Sequence, residues 1–195
     1  MKSLVKVLVL ASAFFSISAS ALPWSEGSNS LGMDMGLLAG YRLNDASSKS
    51  SATSIDGEGT FQIGGLAFLP LGEKFKLRTG FIYSMRNYEA KVKATGVTSD
   101  VEYAHFDIPL TFMYTLSDMG GIFVGPGLSI KMKDDCDGND CDGAKSTMIP
   151  FSFGGHFKVA PQFAMEVYYE MVAGDLDDNI EDPSAVVLNA VVTFE

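Results

Sequence analysis

Along most of this chain hydrophobic and polar residues alternate one by one, a period of two that places successive side chains on opposite faces of a strand. In GMDMGLLAGYRL, residues 32–43, Met33, Met35, Leu37, Ala39, Tyr41 and Leu43 share one parity. Asp34, Gly36, Leu38, Gly40 and Arg42 share the other. The pattern recurs in TFQIGGLAFL (60–69), FKLRTGFIYSM (75–85), FDIPLTFMYT (106–115) and GIFVGPGLSIK (121–131). It returns in MIPFSFGGHFK (148–158), FAMEVYYEM (163–171) and AVVLNAVVTFE (185–195). Eight strands of about ten residues are therefore predicted, a length that crosses a bilayer at a tilt.

One face of these strands is large and apolar. The other is rich in glycine, with sparse charges of both signs: Asp34, Arg42, Arg78, Asp107, Lys131, His156, Lys158, Glu166 and Glu170. A soluble sandwich or lipocalin-like barrel also alternates, but there the large face turns inward. Its opposite face then carries many Lys, Glu, Thr and Ser for water. Small residues with balanced charges instead suit the crowded lumen of a narrow barrel whose apolar face meets lipid. Arg42, Arg78, Glu166, Glu170, His156 and Lys158 are the candidates for a polar network in that lumen.

The connections alternate in length. Links 44–59, 86–102, 132–147 and 174–184 are long and polar, whereas 69–74, 117–121 and 160–162 are short. This is the pattern of an eight-stranded antiparallel up-and-down transmembrane β-barrel, all-β, with tight periplasmic turns and longer external loops. Link 86–102 reads as a protruding hairpin around Thr95-Gly96. An even strand number leaves both termini on the periplasmic side.

The N-terminus adds the compartment. Lys2 and Lys6 precede an apolar run at 7–17, and Ala19-Ser20-Ala21 follows in the A-x-A pattern of a signal-peptidase site. The run is too short to span a bilayer. Residues 1–21 are expected to be a cleaved signal peptide, 22–29 a short periplasmic segment, and 30–195 the barrel domain. Removing Lys2 and Lys6 from the 14 basic residues leaves 12 against 24 acidic ones, a formal charge of −12. Such a surface excludes nucleic acid as a partner, since phosphate binding needs clustered Lys and Arg.

The stretches GLLAGYRL, KLRTGFIYSMRNYEA, FDIPLTFMYTL and GGIFVGPGLSI resemble the porin-family outer-membrane β-barrel domain, of the small OmpA/OmpX-like eight-stranded kind. They include its IPL-type strand, Ile108-Pro109-Leu110, followed by a Gly-rich strand at 121–130. The resemblance covers about residues 30–195. It implies an integral protein of the cell outer membrane, in contact with lipid and lipopolysaccharide. It implies no agreed activity.

Candidate chemistry is sparse. His105 and His156 are the two histidines. They continue as His105-Phe106-Asp107 and His156-Phe157-Lys158, without the His-x-Ser pair of lipid-deacylating barrels. His105 and Asp107 share a face, so contact between them is geometrically open. No metalloprotease, nucleophile-elbow or phosphate-loop motif occurs. A non-enzymatic monomer without cofactors is expected. It would serve a structural or surface-interaction role and meet extracellular ligands at its loops. The alternatives are a narrow channel for small solutes or ions and, more distantly, a lipid-modifying enzyme.

The remaining feature is DDCDGNDCDG, residues 134–143. Against an EF-hand register Asp135, Asp137 and Asn139 fit the first ligand positions. Asp140 then replaces the required glycine and Ser146 the closing glutamate. Asp135, Asp137, Asn139 and Asp140 are thus candidates only for weak Ca²⁺ or Mg²⁺ binding. Cys136 and Cys141 are the only cysteines, and in an oxidising compartment they are expected to close the loop as a disulfide. This reading places the segment at the tip of the third external loop as an acidic, stapled display turn. Link 174–184, GDLDDNIEDPS, reads as a second acidic, self-repelling tip.

Overall fold

The computed structural model describes residues 33–136, 141, 143–177 and 179–194. The signal peptide and N-terminal segment expected before residue 30 lie outside the described residues, as do Asp137, Asn139 and Asp140. The strands are β1 (Asp34–Ser48), β2 (Thr53–Gly57), β3 (Gly59–Pro70), β4 (Phe75–Val92), β5 (Thr98–Pro109), β6 (Thr111–Ser117), β7 (Gly120–Cys136), β8 (Thr147–Met148), β9 (Pro150–Ala160), β10 (Phe163–Val172) and β11 (Ile180–Phe194).

They make eight staves, because three staves are interrupted. The strand expected at 106–115 breaks at Leu110, and β5 and β6 both lie between β4 and β7. β2 prolongs β3 along β4, and β8 prolongs β9 along β7. Every pairing is antiparallel. The ring closes because β1 pairs with β3 on one side and with β11 on the other, from Met35↔Phe194 to Ser48↔Ile180. Closure removes the unpaired edges that an open sheet of this size would expose. The predicted hairpin is present, with Lys91 opposite Thr98.

The alternation now has a direction. Leu37, Phe61, Ile63, Phe81, Ile122, Val124, Phe153, Val167 and Val186 are exposed on the outer wall. On β4 the outward apolar series runs from Phe75 to Met85, and Asn87, Glu89 and Lys91 replace it beyond. An apolar belt of nine to eleven residues per stave is the height of a bilayer's hydrocarbon core at barrel tilt.

The lumen differs from the expectation of small and charged residues alone. Leu38, Leu66, Phe68, Ile82, Met113, Phe123, Tyr168, Val187 and Val191 point inward and form one buried cluster with Ala164 and Ala185. Glycines do not open space either. A Cβ at Gly154 would lie 2.3 Å from the Tyr168 side chain, and one at Gly40 would lie 1.9 Å from the Asn189 amide oxygen. At these two positions the space a side chain would take is filled by a neighbour on the adjacent strand.

Beyond the belt, at the end bearing the long links, the barrel continues. β4 and β5 stay paired through Lys91↔Thr98, and β7 stays paired with β5 through Cys136. A second buried cluster fills this extension: Ile55, Tyr88, Val101, Tyr103, Cys141, Met148, Val172, Leu176 and Ile180. Described residues of the long links therefore contribute buried side chains over the lumen.

Candidate functional site

Interleaved with the inner apolar cluster, the lumen holds a continuous network of ion pairs and hydrogen bonds. Its residues alternate inward from all eight staves, because a step of two keeps each on the lumen face. Arg78 on β4 grips Glu166 on β10 with two hydrogen bonds, Nε to Oε1 at 2.8 Å and Nη2 to Oε2 at 2.7 Å. Its guanidinium also lies 4.6 Å from the Phe123 ring centroid, a cation–π contact. Glu166 further meets His156 Nδ1 at 3.2 Å and accepts from Asn189 Nδ2 at 3.2 Å. An ionised carboxylate only accepts, so the His156 proton toward Glu166 resides on Nδ1.

Gln62 carries the network upward. Its amide nitrogen donates to Asn189 at 2.7 Å and to the Tyr168 hydroxyl at 3.0 Å, while its oxygen accepts from Arg42 Nη1 at 3.1 Å. Glu170 Oε1 is shared by Arg42 Nη2 at 2.7 Å and Arg86 Nη2 at 3.0 Å. Arg86 also reaches Asp107 at 3.1 Å, Ser84 at 3.2 Å and Ser129 at 3.3 Å. Three arginines face three carboxylates, all buried. The three arginines and three carboxylates balance in formal charge, and all six are withdrawn from the surface. Burying ions is costly, and only this degree of mutual pairing and hydrogen bonding compensates it.

The candidates Arg42, Arg78, Glu166, Glu170 and His156 thus meet in one layer. Lys158 does not; it lines a polar cavity of ≈ 250 Å³ at the short-turn mouth together with Asp34, Lys76 and His156. There Lys76 pairs with Asp34 at 2.6 Å. Arg86, the hub, is absent from the sequence candidates because it falls one residue beyond the strand read as ending at Met85. It shares the even parity of Arg78 and Ser84, so extending that strand by one residue would have found it. Gln62, Asn189, Ser84 and Ser129 are uncharged and gave no signal of their own.

His105 and Asp107 do not make the contact their spacing left open. Asp107 is taken by Arg86 and Ser84. His105 is fully buried, and among the described residues neither ring nitrogen has a hydrogen-bond partner. It packs near the Tyr103 ring, with centroids 6.1 Å apart.

The described residues of the acidic loops include several that are not solvated tips. β7 carries a bulge where Ala104 and His105 of β5 face Lys133 and Lys131, so Met132 is the extra residue. A bulge of one residue inverts the parity beyond it. Asp134 and Cys136 consequently join the inner side. The disulfide Cys136–Cys141 is formed, with Cα atoms 5.2 Å apart, and Cys141 is buried in the outer cluster. Asp134 Oδ2 accepts from Lys131 Nζ at 3.0 Å and from the Cys141 backbone N–H at 3.1 Å. In the last long link Leu176 and Ile180 insert into the mouth. Asp177 Oδ1 accepts the N–H groups of Asn179 at 2.6 Å and Ile180 at 2.7 Å, while Oδ2 accepts from the Tyr103 hydroxyl. Lys49 pairs with Asp175 at 2.8 Å, joining the first and last long links. That hydrogen bond and charge hold the Asp175 carboxyl below its ordinary range. These contacts make a cap.

The Cys141→Ser exchange is expected to destabilise the cap by about 2 kcal/mol, the loop-entropy value for so short a ring. Limited proteolysis should then cleave first within 137–146, leaving the belt intact. Unchanged cleavage would show that the bridge does not hold the cap.

Residues 24–173 match the family model described as "Outer membrane protein beta-barrel domain". The chain belongs to this family and is an outer-membrane β-barrel. No curated protein matches it. Among solved structures it is similar to Neisserial surface protein A, at 15% identity and TM-score 0.53, covering 84% of this chain and 97% of that one. It is similar to OprG from Pseudomonas aeruginosa at 10% identity and TM-score 0.52, covering 83% and 96%. Ail, the attachment invasion locus protein of Yersinia pestis, solved with the heparin analogue sucrose octasulfate, matches at 12% identity and TM-score 0.51, covering 83% and 99%. These likenesses carry the fold.

Proposed function

We propose that this protein is a closed outer-membrane barrel with a structural and surface-interaction role, its capped long-loop end facing outward and its short turns facing the periplasm. It acts as a monomer, without enzymatic chemistry, against lipid and lipopolysaccharide. The observation that carries this reading is the neutral ion-pair layer lying beneath an ordered apolar cap. An open diffusion pore needs a solvated lumen, and the side chains of both layers here are buried. In planar bilayers the folded protein is expected to give no unitary conductance steps. Reproducible steps that disappear on unfolding would favour the narrow channel instead.

The cap's outer wall presents carboxylates in register. Asp56 lies opposite Glu89, Glu89 opposite Asp100, and Glu102 opposite Asp135. Directly opposed like charges cost stability; Lys133, 3.6 Å from Asp135, offsets one of them, and with a formal net charge of −10 the surface favours a cationic partner. The polysulfated ligand held by Ail is electrostatically the wrong sign for this surface.

A further inference from the structure

The outer wall is not uniformly convex. Across β4, β6, β7 and β9 it carries a groove of ≈ 490 Å³ walled by Phe75, Phe112, Tyr114, Ile122, Val124 and Phe153. Phe75 and Tyr114 close its short-turn end as a ring pair with centroids 5.2 Å apart. These six side chains lie on the outer apolar face, and the inward-pointing Met113 and Phe123 with Gly154 form the floor beneath them, so the groove opens into the bilayer. At about 30 Å³ for a water-sized group, its volume corresponds to roughly sixteen such groups, the capacity of one acyl chain.

The chemistry at the mouth of the groove selects among lipids. The Lys74 carbonyl accepts the Thr115 N–H at 2.8 Å, which fixes Lys74 directly beside the Phe75–Tyr114 rim. Lys74 and its neighbour Glu73 are both exposed. Tyr114 adds an aromatic ring with a polar tip at this edge, the position where such rings meet headgroups. An ammonium beside a carboxylate complements a zwitterionic headgroup, phosphate on Lys74 and amine on Glu73.

We propose that this groove is a specific seat for one glycerophospholipid with a zwitterionic, amine-bearing headgroup, its acyl chain lying between Phe112, Val124 and Phe153. The seat rests on the outer-membrane setting; only its assignment to the periplasmic leaflet rests on the orientation proposed above. A second copy of this chain is disfavoured as occupant, because a groove one chain wide lacks the roughly 1,000 Å² that a stable protein interface needs.

The test is native mass spectrometry of protein extracted from outer membranes in mild detergent, followed by delipidation and re-addition of phosphatidylethanolamine or phosphatidylglycerol. The wild type should retain one lipid and rebind phosphatidylethanolamine at least tenfold better than phosphatidylglycerol. Val124→Trp and Ile122→Trp fill the groove from the lipid side and should each lower retention at least tenfold. Lys74→Glu should abolish the headgroup preference. Leu37→Trp, on β1 across the barrel, is the control and should retain lipid. Heat-modifiable migration on gels verifies that each variant folds. Equal loss with Leu37→Trp, or several adducts without headgroup preference, would mean annular lipid only and overturn the proposal. A dimer mass lost in the filled-groove variants would overturn it in favour of a second copy. Because conductance is not read, failure here leaves the closed-barrel reading untouched, and the converse holds.

Discussion

Arg86→Met is expected to lower the unfolding free energy by about 3–5 kcal/mol, the cost of removing one partner from a buried ionic network. Arg86 alone bridges Asp107 and Glu170. Without it, Glu170 keeps Arg42 at 2.7 Å, but Asp107 retains only the Ser84 hydroxyl among its side-chain donors in the described lumen. The layer would then carry one uncompensated negative charge at a buried position. The double exchange Arg86→Met with Asp107→Leu restores neutrality and should recover most of the loss, since the penalty is the orphaned charge rather than the lost attraction. Urea titration in phospholipid vesicles, read by heat-modifiable migration, measures both variants. A wild-type midpoint for Arg86→Met would mean that the network does not support the barrel.

Phe81→Arg is expected to cost about 2–4 kcal/mol, the penalty for an arginine on the lipid face near the bilayer midplane. Phe81 is 59% exposed and stacks on Phe106 with ring centroids 5.5 Å apart. On a soluble barrel a charge at so exposed a position would be nearly neutral, within about 0.5 kcal/mol. Asn87→Arg supplies the internal comparison. It lies on the same face of β4 beyond the belt, where the outward residues are already polar, and should leave the midpoint unchanged. The same vesicle titration decides; equal effects at both positions would remove the belt from β4.

The fold was legible because one physical constraint repeats eight times. Lipid demands an unbroken apolar outer face and a closed hydrogen-bond ladder, so the period of two persists from Met35 to Phe194. The candidate site was legible only in part. Arg42, Arg78, Glu166 and Glu170 stand out as charges within apolar strands. Arg86 was hidden by the point where the outward face turns polar: the membrane ends there but the strand does not. Inward Leu38, Phe68 and Phe123 were hidden too, because hydrophobicity on both parities blurs the alternation. Acidic composition suggested exposure for 134–143 and 174–184. Yet Asp134 and Asp177 are ligands of backbone N–H groups, and their neighbours Cys141, Leu176 and Ile180 are the residues that burial selects.

The sequence by itself determined the number of staves, the outward face, the alternation of short and long links and the pairing of its two cysteines, because each follows from local periodicity, spacing or count. Tertiary structure alone decided who meets whom. Glu170 is shared by Arg42 and Arg86, which lie 128 and 84 residues away along the chain, and only barrel closure and register bring these staves to one height. It also decided that Asp134, Cys136 and Cys141 of DDCDGNDCDG join the inner side of the mouth. The single extra residue at Met132 inverts the strand's parity, and no local property of the sequence announces that inversion.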